Sequence, residues 1–464
     1  MLKIYNTLTK QKEEFHALYE KNSVPLSGTP SQGKESDRLV TMYNCGPTVY
    51  DFAHIGNMRA FLMADIIRRS LEFLGYEVHQ VRNYTDVGHM TMTEVQRELN
   101  KEAEITDAED GLDRMDKAAK REGKTVWDIA EFYINAVDKD CEEMNFLAPT
   151  DRPRATNYIK EQIEMIQELE KRGFTYDTAE AVYFDTAKYE EFVKANSELK
   201  LLNYGILTGQ NLAEKKTAVR DEVNEDQNKK NPADFRLWQK IIGNNSEHIM
   251  KWESPWGVGF PGWHIECSAM SRSLLGETID IHTGGVEHIP VHHTNEIAQS
   301  EGSSLQPFAK YWIHNEFILI DGKKMSKSLG NFYKLQDLVE KGFDPMDLRY
   351  YYLTANFRKS QNFTLDELTK TREVRLKLVE KVKKINAENL SPHDSSAPSY
   401  EEGIINLSQE AQDLYHAFKS GVEDSFNMPV CLSILIKTIN SKLDSKEKLY
   451  LIHEFDKVLG LRFA

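Results

Sequence analysis

Among 464 residues the chain has four cysteines, Cys45, Cys141, Cys267 and Cys431, and one of them stands in an unusual stretch. Residues 259–271 read GFPGWHIECSAMS, which crowds Trp263, His264, Glu266 and Cys267 between a Pro-Gly turn and a run of small residues. A cysteine beside Ala and Met can be a small core hydrophobe. It can also be a metal ligand or a nucleophile.

Two other stretches have residues suited to phosphate. In PTVYDFAHIGN (47–57), His54 and Gly56 fall where a strand meets a helix N-terminus. Helix N-terminal amides and the helix dipole favour an anion there, and a glycine lets backbone approach it closely. In IDGKKMSKSLGNF (320–332), Lys324 and Lys327 lie in a glycine-flanked loop with Ser326 and Ser328. Two ammonium groups beside hydroxyls suit a triphosphate and can stabilise charge on an α-phosphate and a departing pyrophosphate.

The elements that must position these residues can be read from period and punctuation. RLVTMYNCG (38–46) reads as a buried strand. HIGNMRAFLMADIIRRSLEFLG (54–75) repeats Phe61, Ala64, Ile67, Leu71 and Leu74 at helical spacing and stops at Gly75. YEVHQVRNYT (76–85) alternates as a strand. Strand, turn, helix and strand make a βαβ unit, and its ligands belong at the carboxyl ends of the strands. Residues 90–250 read as mostly charged helices inserted into this fold, with 218–235 as polar loop. From 251 to 320 the reading returns to short strands and glycine turns. A basic helix at 368–386 places Leu376, Val379 and Val382 on one face, and a Pro/Ser-rich linker (386–403) leads to further helices.

Composition limits the class. The length suggests roughly three domains. The N-terminal MLKIYNTLTKQKEEF lacks an apolar signal region, and runs such as CLSILI are too short to span a bilayer. Four scattered cysteines do not form a disulfide framework, so a reducing cytoplasm is expected. The net charge of −15 requires that any nucleic acid be met by a local basic surface.

Taken together, MYNCGPTVYDFAHIGN, GFPGWHIECSAM, DIHTGG, HHTNEIAQSE, KMSKSLGNF and DSFNMP resemble the motifs of the cysteinyl-tRNA synthetases, within the class I aminoacyl-tRNA synthetases. The likeness runs from about residue 2 to 435 and is strongest at 40–86 and 251–333. It implies an α/β fold with a Rossmann-like doubly wound parallel sheet, a mostly helical insertion and a C-terminal α-helical domain. The expected divisions are catalytic halves at 1–115 and 246–320, an insertion at 116–245, a lysine-loop and stem-contact region at 321–367, and a helical tRNA-binding domain at 368–464.

The resemblance also implies an activity. L-cysteine is activated by ATP, with Mg2+, and transferred to tRNA(Cys) by a cytoplasmic monomer with no membrane contact and no editing domain. One Zn2+ per chain would be held by Cys45, Cys267, His292 and Glu296 and would select the substrate thiol. His292 and Glu296 are four apart, so on a helix they face one way. His293 rivals His292. His54, Gly56, Asn57, Lys324 and Lys327 would contact ATP, with His54 and the two lysines catalytic. Trp263, Thr85 and His282 would bound the substrate pocket, and Cys141 and Cys431 would be packing residues.

Three places depart from the family pattern. Asn57 replaces a histidine, VGHMT follows NYTD, and IPVHH precedes the metal segment. They leave open a ligase that joins cysteine to an amino-sugar, and more distantly an inactive zinc- and RNA-binding relative.

Overall fold

Strand β1 (Arg38–Asn44) is the centre of the molecule in the computed structural model, which describes residues 1–20, 38–87, 114–209, 229–242, 246, 248–325, 331–389 and 407–463. Its last five residues are buried, as a strand covered on both faces requires. The chain turns into helix α1 (Ile55–Phe73) and returns along strand β2 (Glu77–Arg82), parallel to β1. Gly75 ends α1 at φ +86, where its own N–H and that of Tyr76 reach back to Glu72 and Leu71. Only glycine enters this left-handed turn freely.

The second half of the sheet follows after the insertion. Helix α2 (Trp263–Leu275) leads to strand β3 (Ile279–Gly285), and helix α3 (Thr294–Ser304) leads to strand β4 (Ala309–Asn315). The parallel strands lie in the order β4-β3-β1-β2. The direction of winding reverses between β1 and β3. A crevice opens at such a switch point, beyond the carboxyl ends of the strands.

The insertion is mostly helical, as expected, and adds the strands Thr175–Asp177, Ala181–Phe184 and Phe235–Lys240, which with Gly259–Pro261 form a four-stranded antiparallel sheet. These strands are three to six residues long and sit among charged helices, so their aromatic-rich runs are too short to show a period. The 251–320 segment, in turn, holds the helices α2 and α3 as well as strands. Asp86 ties the insertion to the sheet by accepting from the N–H and hydroxyl of Thr156, at 3.0 and 2.7 Å.

Helix α4 (Pro345–Leu353) carries Arg349, which is wholly buried. Its guanidinium donates to Asp65 on α1 at 2.6 Å, to the carbonyl of Met144 at 3.0 Å and to that of Leu459 at 2.7 Å. The basic helix is longer than expected, as helix α5 (Leu365–Asn389). Its buried seam is Leu368, Arg375, Leu378, Val382 and Ile385, whereas Leu376 is 41% exposed. The C-terminal helix α6 (Ser445–Leu459) packs on both α1 and α5. Most of the expected linker lies outside the described residues.

Candidate active site and metal centre

His54 is the N-cap of α1. Its Nδ1 accepts from the Asn57 N–H at 3.1 Å, and the Asn57 side-chain oxygen accepts from the His54 N–H at 3.0 Å. This reciprocal box settles what Asn57 does locally, which is to close the first turn. A Cβ on Gly56 would lie 2.8 Å from the His54 ring and 3.1 Å from the end of Met325. Glycine here therefore lets the lysine loop and the imidazole share one small space. Beyond that loop, Phe332 meets the His54 ring edge-on at 5.1 Å, and the Ile55 N–H donates to the Tyr333 carbonyl at 2.9 Å. The two phosphate-suited stretches are thus neighbours. Lys324 is exposed, with its ammonium 5.0 Å from the Phe317 ring centre. Lys327 lies outside the described residues.

Cys45 follows the end of β1, and its N–H donates to Thr283 of β3 at 3.3 Å. Gly46 passes so close to the next segment that a Cβ would lie 1.6 Å from the Asn83 carbonyl. Thr85 is buried beneath this loop and exchanges backbone hydrogen bonds with Pro47 and Val49, at 3.1 Å each.

Cys267 faces inward from α2. Small polar groups hold α2 against α3, with the Gln299 amide donating to the Ser268 hydroxyl at 2.7 Å and the Ser300 hydroxyl to it at 2.8 Å. Before α3, Ile289–His293 form a wide π turn, and both His292 and His293 are buried. Such turns concentrate at functional sites.

Two overlapping donor groups result, Cys45–Cys267–His292–Glu296 and Cys45–His282–His293–Glu296, each with ligand atoms within 4.8 Å of one another. Glu296 divides its oxygens between them. Oε1 lies 2.9 Å from His292 Nε2, and Oε2 lies 2.9 Å from His282 Nε2. His293 is engaged at both nitrogens, 3.4 Å from Cys45 Sγ and 2.8 Å from His314. His264 Nδ1 is 2.9 Å from His292 Nδ1, and Trp263 stacks on the His292 ring at 4.1 Å.

The charges are arranged as a metal site needs. A hydrogen bond from Cys45, with help from His292, pulls the Cys267 thiol below its usual range. Burial pushes Cys45 up. Burial would lower His292, but Glu296 and Cys267 outweigh it and raise the imidazole to about 10. Burial would raise Glu296, yet His282 and His292 hold it far below the carboxylate range. His288, His293 and His314 are depressed by burial first and by neighbouring imidazoles second, so they are neutral. Thiolate, imidazolium and carboxylate share protons here that a divalent cation would displace. Two sulfurs, an imidazole and a carboxylate are zinc donors.

The structure brings together Cys45, Cys267, His292, Glu296 and Trp263. It places His282 behind Glu296, fully buried and stacked on Trp312 at 4.4 Å, and leaves Lys324 exposed. Cys141 and Cys431 are buried, and Cys141 accepts from Arg82 at 3.1 Å. His293, the expected rival of His292, is in the cluster, and Tyr43, His264, His288 and His314 complete it without having been singled out as its members. The sign of the further histidines in the sequence was the density of histidine around 264–314.

The family model described as "tRNA synthetases class I (C) catalytic domain" matches residues 32–373. A cysteine–tRNA ligase of Treponema denticola is 38% identical over 99% of this chain and 86% of its own length. One from Zymomonas mobilis is 37% identical over 91% and 80%, and one from Chlamydia muridarum 36% over 99% and 87%. Among solved structures, Mycobacterium tuberculosis methionyl-tRNA synthetase with methionyl-adenylate aligns with TM-score 0.56 at 12% identity, covering 91% of this chain and 90% of that one. A ternary complex of Agrobacterium radiobacter K84 LeuRS aligns at 0.61 and 11% identity, covering 93% and 84%. The structural likenesses speak to the fold, the relatives do not favour the amino-sugar reading, and with the family match they show that the chain belongs to the class I cysteinyl-tRNA synthetases.

Proposed function

We propose that the chain activates L-cysteine with ATP and passes it to the 3′ end of tRNA(Cys) in the crevice between β1 and β3. The observation that carries this reading is a helix N-terminus suited to phosphate and a sulfur-bearing donor set at the same end of one sheet. In the first step the cysteine carboxylate attacks the α-phosphate of ATP in line, and the bond to pyrophosphate breaks. His54 and the first turn of α1 at Gly56 and Asn57 cradle phosphate, while Lys324 and Lys327 neutralise charge on the α-phosphate and the leaving group. Mg2+ enters with ATP. In the second step a ribose hydroxyl of tRNA attacks the carbonyl of the mixed anhydride, and AMP leaves. No protein nucleophile is required, because positioning and charge stabilisation suffice.

Cys45, Cys267, His292 and Glu296 would hold the zinc ion, a reading supported by the 2.9 Å approach of His292 Nε2 to Glu296 Oε1, with His293 the rival imidazole in the overlapping group. When bound, zinc supplies a soft Lewis acid that prefers a thiolate sulfur to the hard hydroxyl of serine. Trp263 and Thr85 bound the amino-acid pocket, and His282 orients Glu296. The tRNA crosses from the catalytic halves (1–115, 246–320) past the insertion (116–245) and the 321–367 region to the helices of 368–464. The exposed lysines of α5 meet its backbone. The enzyme works as a monomer in the cytoplasm. No helix among the described residues is long and apolar enough to cross a membrane.

The test is aminoacylation of total tRNA by zinc-loaded protein, with labelled cysteine and serine in parallel. Charging with cysteine alone is expected. Cysteine-dependent pyrophosphate exchange without tRNA charging would overturn the acceptor.

A further inference from the structure

Phe52 stands two residues before His54, in the loop that leads into the first turn of α1, and is half-buried. Phe132, on the insertion helix Val126–Glu143, meets its ring edge-on with the centres 5.9 Å apart. Tyr133 is buried and packs edge-on against both rings, at 5.1 Å each. Its hydroxyl donates to Glu122 at 2.6 Å, and Arg121 donates to the same carboxylate at 3.0 Å. Phe132 is thus held firmly at its edge, yet it is 43% exposed. Each phenyl ring has a cation at its face. The Lys334 ammonium lies 4.3 Å from the centre of the Phe52 ring, and that of Lys124 lies 4.4 Å from the centre of Phe132. Lys334 follows the lysine loop, and its backbone pairs with His54. Acidic groups stand here too: Glu122, which Tyr133, Arg121 and Lys124 share, and Asp51, next to Phe52 in the chain. Aromatic rings bordered by cations suit single-stranded nucleic acid, because a base stacks on the ring while the cation meets its phosphate.

We infer that Phe132, with Lys124 and Lys334, is a stacking platform for the unpaired nucleotides at the 3′ end of the tRNA where they enter the crevice. A base stacks on the Phe132 ring, and the two ammonium groups turn from the rings to the neighbouring phosphates. Phe52 is the inner edge of the platform and joins it to the loop before His54. Two observations favour this occupant over a protein partner. Cations border the rings, and the patch is continuous with the loop at which the phosphate chemistry is placed. Every base has a π-face, so the platform holds the strand without reading its sequence. The inference rests on the tRNA reading of the acceptor. Trp127 is exposed on the same helix but lies five residues earlier, about 140° around its axis, and so serves as a control.

The experiment measures binding of the full-length, zinc-loaded protein to a tRNA(Cys) transcript with and without its unpaired 3′ nucleotides. In wild type, removing those nucleotides should weaken binding roughly tenfold. Phe132→Leu keeps an apolar side chain and removes the π-face, and it should weaken binding of the intact RNA by a similar factor. The truncated RNA should bind both proteins equally, because the nucleotides that need the ring are gone. Phe132→Trp should restore the wild-type difference, and Trp127→Ala should preserve it. Lys124→Gln should lower the slope of log affinity against log salt by about 0.7 for the intact RNA alone. Equal weakening of both RNAs by Phe132→Leu would overturn the platform, and so would no weakening of either. Wild-type protein that fails to charge the intact transcript would instead overturn the acceptor reading on which the platform rests.

Discussion

At the scale of the residue, the two ends of the site are sensitive for different reasons. Gly56 is constrained by space, since its missing Cβ is what lets the His54 ring and Met325 approach. Gly56→Ala should leave α1 intact, because alanine is the better helix former. It should still displace the imidazole, and pyrophosphate exchange is expected to fall by about 100-fold with unchanged circular dichroism. Cys267 is constrained by chemistry. Cys267→Ser keeps the volume but replaces a thiolate with a hard hydroxyl, and stoichiometric zinc should be lost on dialysis. His293→Ala, by contrast, should keep the ion, because His292 supplies the imidazole. Equal loss in the two variants would move the site to the group that contains His282.

At the scale of the element, α3 is held at its end by Glu301. This buried carboxylate accepts from the Leu202 N–H at 2.6 Å and the Phe308 N–H at 3.2 Å. Burial raises it from 4.5 to about 7 in spite of those bonds. The folded state therefore holds the proton longer than the unfolded chain does. The corresponding stability is present below about pH 4.5 and is lost as the pH rises through about 7, an effect on the order of 3 kcal/mol. Urea unfolding across this window should show the decline in wild type and a flatter profile in Glu301→Gln. Parallel profiles would mean that Glu301 stays ionised. The π turn before α3 is also an element-scale device, since it brings two successive histidines into one buried cluster.

At the scale of the whole molecule, the C-terminal helices are tied to the catalytic sheet through Arg349. Arg349→Met removes the guanidinium that joins Asp65, Met144 and Leu459, and should cost about 3 kcal/mol or more in equilibrium unfolding. The proposed seat of the tRNA backbone on this acidic molecule is the exposed face of α5. Lys377, Lys381 and Lys384 lie at helical spacing on it and are exposed. Replacing all three by alanine should weaken tRNA binding and lower the slope of log affinity against log salt by about 2–3, with pyrophosphate exchange unchanged. An unaltered slope would place the RNA elsewhere.

The sequence by itself determined the parts that depend on a few local atoms. The βαβ unit around His54 was legible because a long amphipathic helix and its glycine stop have strong periods. The set Cys45, Cys267, His292 and Glu296 was implied by the resemblance of its motifs, and the fold gathers these four ligand atoms within 4.8 Å of one another. Only the tertiary structure decided the rest. The antiparallel sheet of three insertion strands and Gly259–Pro261 gains its stability from pairing across 86 residues, which no local window contains. The helix at 263–275, read as strand and turn, is set by packing against α3, and its apolar and polar positions mix because both faces are buried. On α5 the expected face holds at Val382 and fails at Leu376, because neighbouring helices bury Leu378 instead. Likewise, that Tyr43 stands beside His282 follows from strand register, in which β1 and β3 meet although they are more than two hundred residues apart.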